Sequence, residues 1–242
     1  MKAMILAAGL GTRLQPLTLT RPKALVEVKG ISMLELIIRK LINEGFDEII
    51  INVHHFVDQI IDFLKAHNQF GVSITISDES DLLLDTGGGI LKARDFFNDG
   101  KSFLIHNVDI LSDINLRELY EFHVSNKALA TLAVKDRKTS RSLLINKDHE
   151  LCGWKNNQSG QTIISKQEEI DLTPIAFSAI HVMNPDIFPL ISEQGVFSIM
   201  DVYLRLAKSN RILTWRHDQN FWFDIGRIEN LKEAEKYVSG GY

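Results

Sequence analysis

"MILAAGLGTRLQPLTLTRPKAL", residues 4–25, starts as an apolar run and breaks at Gly9 and Gly11. It then carries Arg13 and Lys23, with Pro16 and Pro22 between them. Residues 2–8 (KAMILAA) read as a buried strand, so the glycines stand where that strand ends. Glycine lets backbone amides come close to an anion. Arginine offers phosphate oxygens a planar fork and lysine a compact point charge. Two prolines limit the freedom of the chain between them. Two cations on a stiff loop after a strand make a clamp suited to a polyphosphate. Either cation alone is equally well a solvated surface side chain, and a lone G-x-G is equally well a tight turn.

Two standard phosphate motifs fail here. The dinucleotide fingerprint needs a third glycine where this chain has Leu14, and the P-loop ending Gly-Lys-Ser/Thr is absent.

Further along, apolar runs alternate with helical spacing. Strands are expected at 48–53, 72–77, 103–108 and 128–134, and helices at 32–44, 56–67, from Gly87–Gly89 to Phe97, and from Asn115 to His123. Ser32 and Asn115 are placed to cap two of these helices. Strands alternating with helices predict an α/β fold: a Rossmann-like mixed, mostly parallel sheet with helices on both faces. Beyond residue 135 the pattern is less regular. Two short strands across 141–156 are expected to turn at Lys147–His149, followed by a strand at 176–183. Helices are expected near 185–192 and 198–209, then a strand at 211–217 and a closing helix at 227–238. No repeat, linker or composition break divides the 242 residues. One domain is expected, with a regular first half (1–135) and a less regular second half (136–242).

Composition narrows the function. Net charge is −4 without blocks of like charge, which argues against general affinity for nucleic acid or anionic membrane. The single Cys152 excludes an internal disulfide and a cysteine-built metal site, and it suits a reducing compartment. No signal peptide and no apolar window of transmembrane length is read, so a cytoplasmic protein is expected.

The ordered stretch Gly9 to Leu25, G-x-G-T-R-L-x-P-L-T-x-x-x-P-K-x-L, resembles the signature of the sugar-1-phosphate nucleotidylyltransferases. The likeness continues in "DTGGGI" (85–90), "IHNVDIL" (105–111) and "FWFDIGR" (221–227). Among its branches the chain looks most like N-acetylmuramate-1-phosphate uridylyltransferases, and also like mannose-1-phosphate guanylyltransferases. The resemblance implies the nucleotide-diphospho-sugar transferase fold and the reaction NTP + sugar-1-phosphate → NDP-sugar + pyrophosphate. UTP with N-acetylmuramate-1-phosphate is the preferred pair, and GTP with mannose-1-phosphate the alternative.

It also implies roles for residues. Arg13 would hold the β/γ phosphates and Lys23 would bridge donor and acceptor phosphates, while Ala8, Gly9, Gly11 and Thr12 would contact the nucleotide. Asp109 and Asp224 would hold Mg²⁺, a hard cation that takes one or two carboxylates plus substrate phosphates. Apart from the resemblance, Asp109 reads as a turn cap and Asp224 as a partner of Arg227. Relatives often have Gly-Asp where this chain has Val108-Asp109. The loop around Gly88 would lie against the base, Glu79 would read it, and Asp85 would face the sugar or ribose. Relatives often bind the sugar phosphate through a Glu-Lys pair; here "LCGWKNNQSGQ" (151–161) and "SKQEE" (165–169) stand instead, with Lys155 and Lys166 as candidates. His54 and His55 follow the second strand, within possible reach of the pocket and without zinc-site spacing. Trp154 and Trp222 suit either sugar stacking or core packing.

Two rivals stay open: a glycosyltransferase that consumes NDP-sugar, and a non-catalytic nucleotide-binding regulator. A fused acyltransferase is not expected, because no hexapeptide repeat is present. A monomer or weak homo-oligomer is expected.

Overall fold

The structure, a computed structural model, describes residues 1–166 and 171–237. From the N-terminus come β1 (Lys2–Leu6), the small hairpin β2 (Glu27–Val28) and β3 (Ile31–Ser32), α1 (Met33–Asn43), β4 (Glu48–Val53), α2 (Val57–Ala66), β5 (Ser73–Asp78), α3 (Asp85–Lys92), β6 (Phe103–Asn107), β7 (Ile110–Ser112) and α4 (Leu116–Asn126). Then follow β8 (Ala130–Lys135), β9 (Arg141–Ile145), β10 (Leu151–Asn156), β11 (Thr162–Ile164), β12 (Thr173–Met183), α5 (Ile199–Leu206), β13 (Ile212–Arg216), β14 (Trp222–Asp224) and α6 (Ile228–Ala234). Val238 of the expected closing helix and residues 167–169 of "SKQEE" lie outside the described residues.

The sheet is mixed, as expected. Its order is β11-β10-β9-β12-β6-β1-β4-β5, with β8 paired to β12 and β13 to β8. The strands β6, β1, β4 and β5 run parallel. Alternation along each strand divides the core between the two faces. Ala3, Ile5, Ile49 and Ile51 pack with α1, α2 and α4; Met4, Ile50 and Ile105 pack on the other side with α3 and α5. The two expected caps form: Ser32 Oγ accepts from Glu35 N at 3.1 Å, and Asn115 Oδ1 from Glu118 N at 2.9 Å.

Three features depart from local periodicity. First, β8 does not extend the parallel row. The longer β12 inserts antiparallel between β6 on one side and β8 and β9 on the other. Its register against β8 shifts between Phe177 and His181, with Ala179 at φ 57°, so Phe177, Ala179 and His181 face one cavity. Second, the expected helix at 185–192 is a 3₁₀ segment, Pro185–Leu190, with Pro189 inside it. Third, β7 and β14 form an antiparallel pair of their own, with Asp224 opposite Ile110.

Four histidines are buried: His106 on β6, His181 on β12, His123 on α4 and His217 just after β13. Burial pushes His106, His123 and His217 down to about 4, and His181 to about 3. Their ordinary value is 6.5, so in the unfolded chain they bind protons that the folded chain refuses. Stability is then fully present above about pH 6.5 and falls as pH drops from there toward 4. Thermal melts should give a Tm several degrees lower at pH 5 than at pH 7; a Tm that stays level over that interval would contradict this burial. Among the described residues, no helix is long and apolar enough to cross a membrane.

Candidate active site

The loop after β1 folds back on itself. Gly11 adopts φ 65°, and a Cβ there would lie 2.9 Å from Thr18 Cγ2 and 3.0 Å from Lys23 Cβ. Thr18 Oγ donates to Gly11 O at 2.8 Å and closes the turn. Glycine at this position therefore allows Lys23 to approach the strand end. Gly9, by contrast, has open space beside it and lines the cleft together with Ala8.

Lys23 Nζ pairs with Asp109 Oδ2, and both side chains are nearly buried, at 11% and 12% exposed. Arg13 lies 3.8 Å from Asp224. The two pairs meet at Gly226. A Cβ on Gly226 would stand 2.8 Å from Asp224 Oδ1, 3.1 Å from Asp109 Oδ2 and 3.1 Å from an Arg13 nitrogen. The cause is topological. Pairing of β14 with β7 sets 224 beside 110, and Ile225 N donates to Asp109 O at 2.8 Å. Arg13, Lys23, Asp109 and Asp224 thus share one place, although 211 residues of sequence separate the first from the last.

Lys23 and Asp109 line a cleft of about 360 Å³, together with Leu6, Asn52, Asp85, Thr86 and Val196. Asp85 belongs to its wall, at φ 59°, and Thr12 stands exposed beside Arg13 on the 3₁₀ turn Thr12–Leu14.

Two of the expected nucleotide contacts lie off this wall. Glu79 is only 1% exposed and is not on this wall. Its Oε1 accepts from Asn52 Nδ2 at 2.7 Å and its Oε2 from Leu84 N at 3.2 Å. With both oxygens engaged beneath α3, it braces Asn52. Asn52 takes the wall position, its Oδ1 accepting from Ala7 N at 2.7 Å. Gly88 is likewise a packing residue. It lies inside α3 and off the cleft wall, and a Cβ there would sit 2.4 Å from Gly195 O. A Cβ on Gly87 would lie 2.4 Å from the Phe197 ring, and one on Gly89 2.7 Å from Glu79 Oε1. The three glycines let α3 touch its neighbours on three sides, which brings Val196 over the cleft.

A second cavity, about 320 Å³, adjoins the first and shares Leu6, Thr86 and Asn107 with it. Trp154 lines it, with Phe177, His181 and Arg141. Lys155 does not. Successive strand residues face opposite ways, and Lys155 pairs with Ser142 on the far face while Trp154 pairs with Leu143 on the cavity face. Lys166 binds Glu150 instead of a cavity. Trp222 packs: its Nε1 donates to Ser178 O at 2.9 Å, and Arg137 stacks on its ring at 3.8 Å. His54 Nδ1 lies 2.6 Å from Glu79 O, and His55 packs on Phe56.

Sequence spacing missed Asn52, Arg141, Val196 and Gly226. Asn52 had a signal, a polar residue within the apolar run EIIINV. Arg141 had none, because its face depends on strand register. Among the described residues, no three metal-ligating side chains gather at one point. Two carboxylates converging on the space beside Gly226 still match a hard cation that completes its shell with substrate oxygens and water.

The chain matches the nucleotidyl transferase family over residues 2–240. An N-acetylmuramate alpha-1-phosphate uridylyltransferase of Neisseria meningitidis is 31% identical to it over 97% of both chains. A mannose-1-phosphate guanylyltransferase catalytic subunit beta of Dictyostelium discoideum is 26% identical over 96% of this chain and 62% of its own length. A Bacillus anthracis crystal structure in complex with sucrose superposes with a TM-score of 0.83 over 100% of this chain and 98% of that one, at 20% identity, a likeness of fold.

Proposed function

Since the chain belongs to the nucleotidyl transferase family, we propose that it transfers a nucleoside monophosphate from an NTP to a sugar-1-phosphate, releasing pyrophosphate. One observation carries this reading above the others: two cationic and two acidic side chains converge near Gly226, and two of them, Lys23 and Asp109, line a cleft of about 360 Å³.

In this reaction an oxygen of the sugar phosphate attacks the α-phosphorus in line with the departing pyrophosphate. That oxygen is already anionic near neutral pH, so no protein nucleophile or strong base is needed. The obstacle is the meeting of two anions and the growth of charge on the leaving group. Lys23 would leave Asp109 and lie between the donor and acceptor phosphates. Arg13 would leave Asp224 and hold the β/γ phosphates, with the amides of the Gly9–Gly11 loop beside them. Asp109 and Asp224 would hold Mg²⁺, which when bound offsets negative charge at the α-phosphate. Catalysis is then mainly positioning and fixed electrostatics. The halves divide the work: residues up to 135 hold the nucleotide, while 136–242 supply Asp224 and most of the wall of the second cavity for the sugar.

UTP with N-acetylmuramate-1-phosphate is the preferred pair. It draws support from the name of the Neisseria meningitidis relative, which spans the same length. GTP with mannose-1-phosphate comes second, on the Dictyostelium discoideum relative. A matrix of UTP, GTP, CTP and dTTP against sugar-1-phosphates, scored by pyrophosphate release, tests the reading. We expect the highest kcat/KM for UTP with N-acetylmuramate-1-phosphate. Pyrophosphate release with no combination would overturn the reaction, and a clear preference for another pair would overturn the substrate.

A further inference from the structure

Polar and apolar residues line the second cavity about equally, and two polar side chains on it, Arg141 and His181, have no partner among the described residues. Arg141 starts β9 and is exposed at its edge. Register fixes its direction: Arg141 lies opposite Asn156 and two residues from Leu143, which lies opposite Trp154. All four therefore face the same side of the sheet, and Arg141, Leu143 and Trp154 line the cavity. Among the described residues the Arg141 guanidinium has no hydrogen bond and no ion pair, unlike Arg205 and Arg211, whose guanidinium groups bind Glu193 and Glu150.

His181 is the second group. It is 2% exposed, lies on the same cavity wall, and neither ring nitrogen has a hydrogen-bond partner. Phe177 stacks on it at 5.6 Å and Tyr203 meets it edge-on at 5.6 Å, so the ring is held in place. A neutral imidazole offers one donor and one acceptor. An acylamino group offers the complement, a C=O that accepts and an N–H that donates. Buried polar groups are normally paired, so an unpaired one on a cavity wall points to a ligand.

From Arg141 and His181 together, we infer that the second cavity selects a sugar phosphate bearing a carboxylate and an acylamino group, with Arg141 binding the carboxylate. A guanidinium fork matches a planar carboxylate through two parallel N–H···O bonds. Trp154 and Phe177 supply flat apolar surface for the ring. This inference deepens the sugar-1-phosphate reading and rests on it. It assigns Arg141 to the sugar substituent and leaves the 1-phosphate to Lys23.

The test uses two substrates that differ only in the acid. N-acetylmuramate-1-phosphate is N-acetylglucosamine-1-phosphate with a lactyl carboxylate added. With saturating UTP, wild-type enzyme should favour the acidic sugar. Arg141→Ala should lower the ratio of the two kcat/KM values at least about tenfold, the scale of a hydrogen bond between charged groups, mainly through KM for the acidic sugar. Arg141→Lys should restore part of the ratio, because a point charge keeps attraction but loses the fork. Calorimetric binding of both sugar phosphates to wild type and Arg141→Ala reads the same selectivity without turnover. An unchanged ratio, or equal losses on both sugars as expected of a phosphate contact, would overturn the inference. Absence of pyrophosphate release from wild type with every sugar phosphate would instead overturn nucleotidyl transfer itself. Transfer to neutral sugars in preference to acidic ones would leave that reaction standing and refute only the role of Arg141.

Discussion

Lys23→Ala should lower kcat by at least ~100-fold, the loss seen when one fixed charge-stabilising group is removed from a catalytic site. The structure gives a reason to expect a large effect. Lys23 is nearly buried against Asp109, so its charge acts in a setting poor in water, where Coulomb interactions are stronger than at a surface. It is also positioned by backbone, since its Cβ rests on the turn at Gly11. Asp109→Ala should fall by a similar factor. The two variants differ in a second measurement. With no nucleotide present, Lys23 occupies the carboxylate that would hold the metal. Lys23→Ala should therefore bind Mn²⁺ more tightly than wild type, while Asp109→Ala should bind it more weakly. Circular dichroism and a thermal melt check that both variants fold. Turnover within threefold of wild type for Lys23→Ala would remove it from the mechanism. Weaker Mn²⁺ binding by that variant would show that the ion pair does not compete with the metal.

Gly226→Ala is the second large effect, and it adds a single methyl group. Gly226 does not have positive φ among the glycines that do, so alanine fits its backbone. The methyl carbon would instead press on Asp224 Oδ1, Asp109 Oδ2 and Arg13. These are side-chain ends that can yield, so the fold should survive with Tm lowered by a few degrees at most. The site would be displaced by tenths of an ångström at three of its four charges. Misplacement approaching 1 Å can cost about 10²-fold in rate, and we expect kcat to fall by ~10–100-fold. Measuring kcat beside Tm separates the cases. A variant as active as wild type would mean that the carboxylates need not converge there. Large loss of stability would mean that Gly226 serves packing first.

Much of the fold was legible in the sequence because burial leaves a local trace. The run KAMILAA is apolar because β1 lies between two parallel neighbours, with both faces covered. Ser32 and Asn115 marked helix starts because their side chains satisfy free amides of the first turn. The glycines at 87–89 were equally visible, but their purpose was not. Glycine next to a site signals close approach without saying what approaches, and here Phe197, Gly195 and Glu79 do so. Glu79 is ambiguous for a related reason: a carboxylate near such a cleft serves equally well as a brace.

By itself the sequence determined the alternation of strand and helix, the stiff cationic loop from Gly9 to Lys23, and four charged residues as candidates for a site. Only the tertiary structure decided that those charges meet. The pairing of 110–112 with 222–224 joins segments more than a hundred residues apart, and no local pattern encodes which free strand edge finds which. It also decided that Arg141, not Lys155, faces the second cavity. A strand exposes alternate residues to opposite sides, so a slip of β10 by one residue would turn Lys155 toward the cavity and Trp154 away from it.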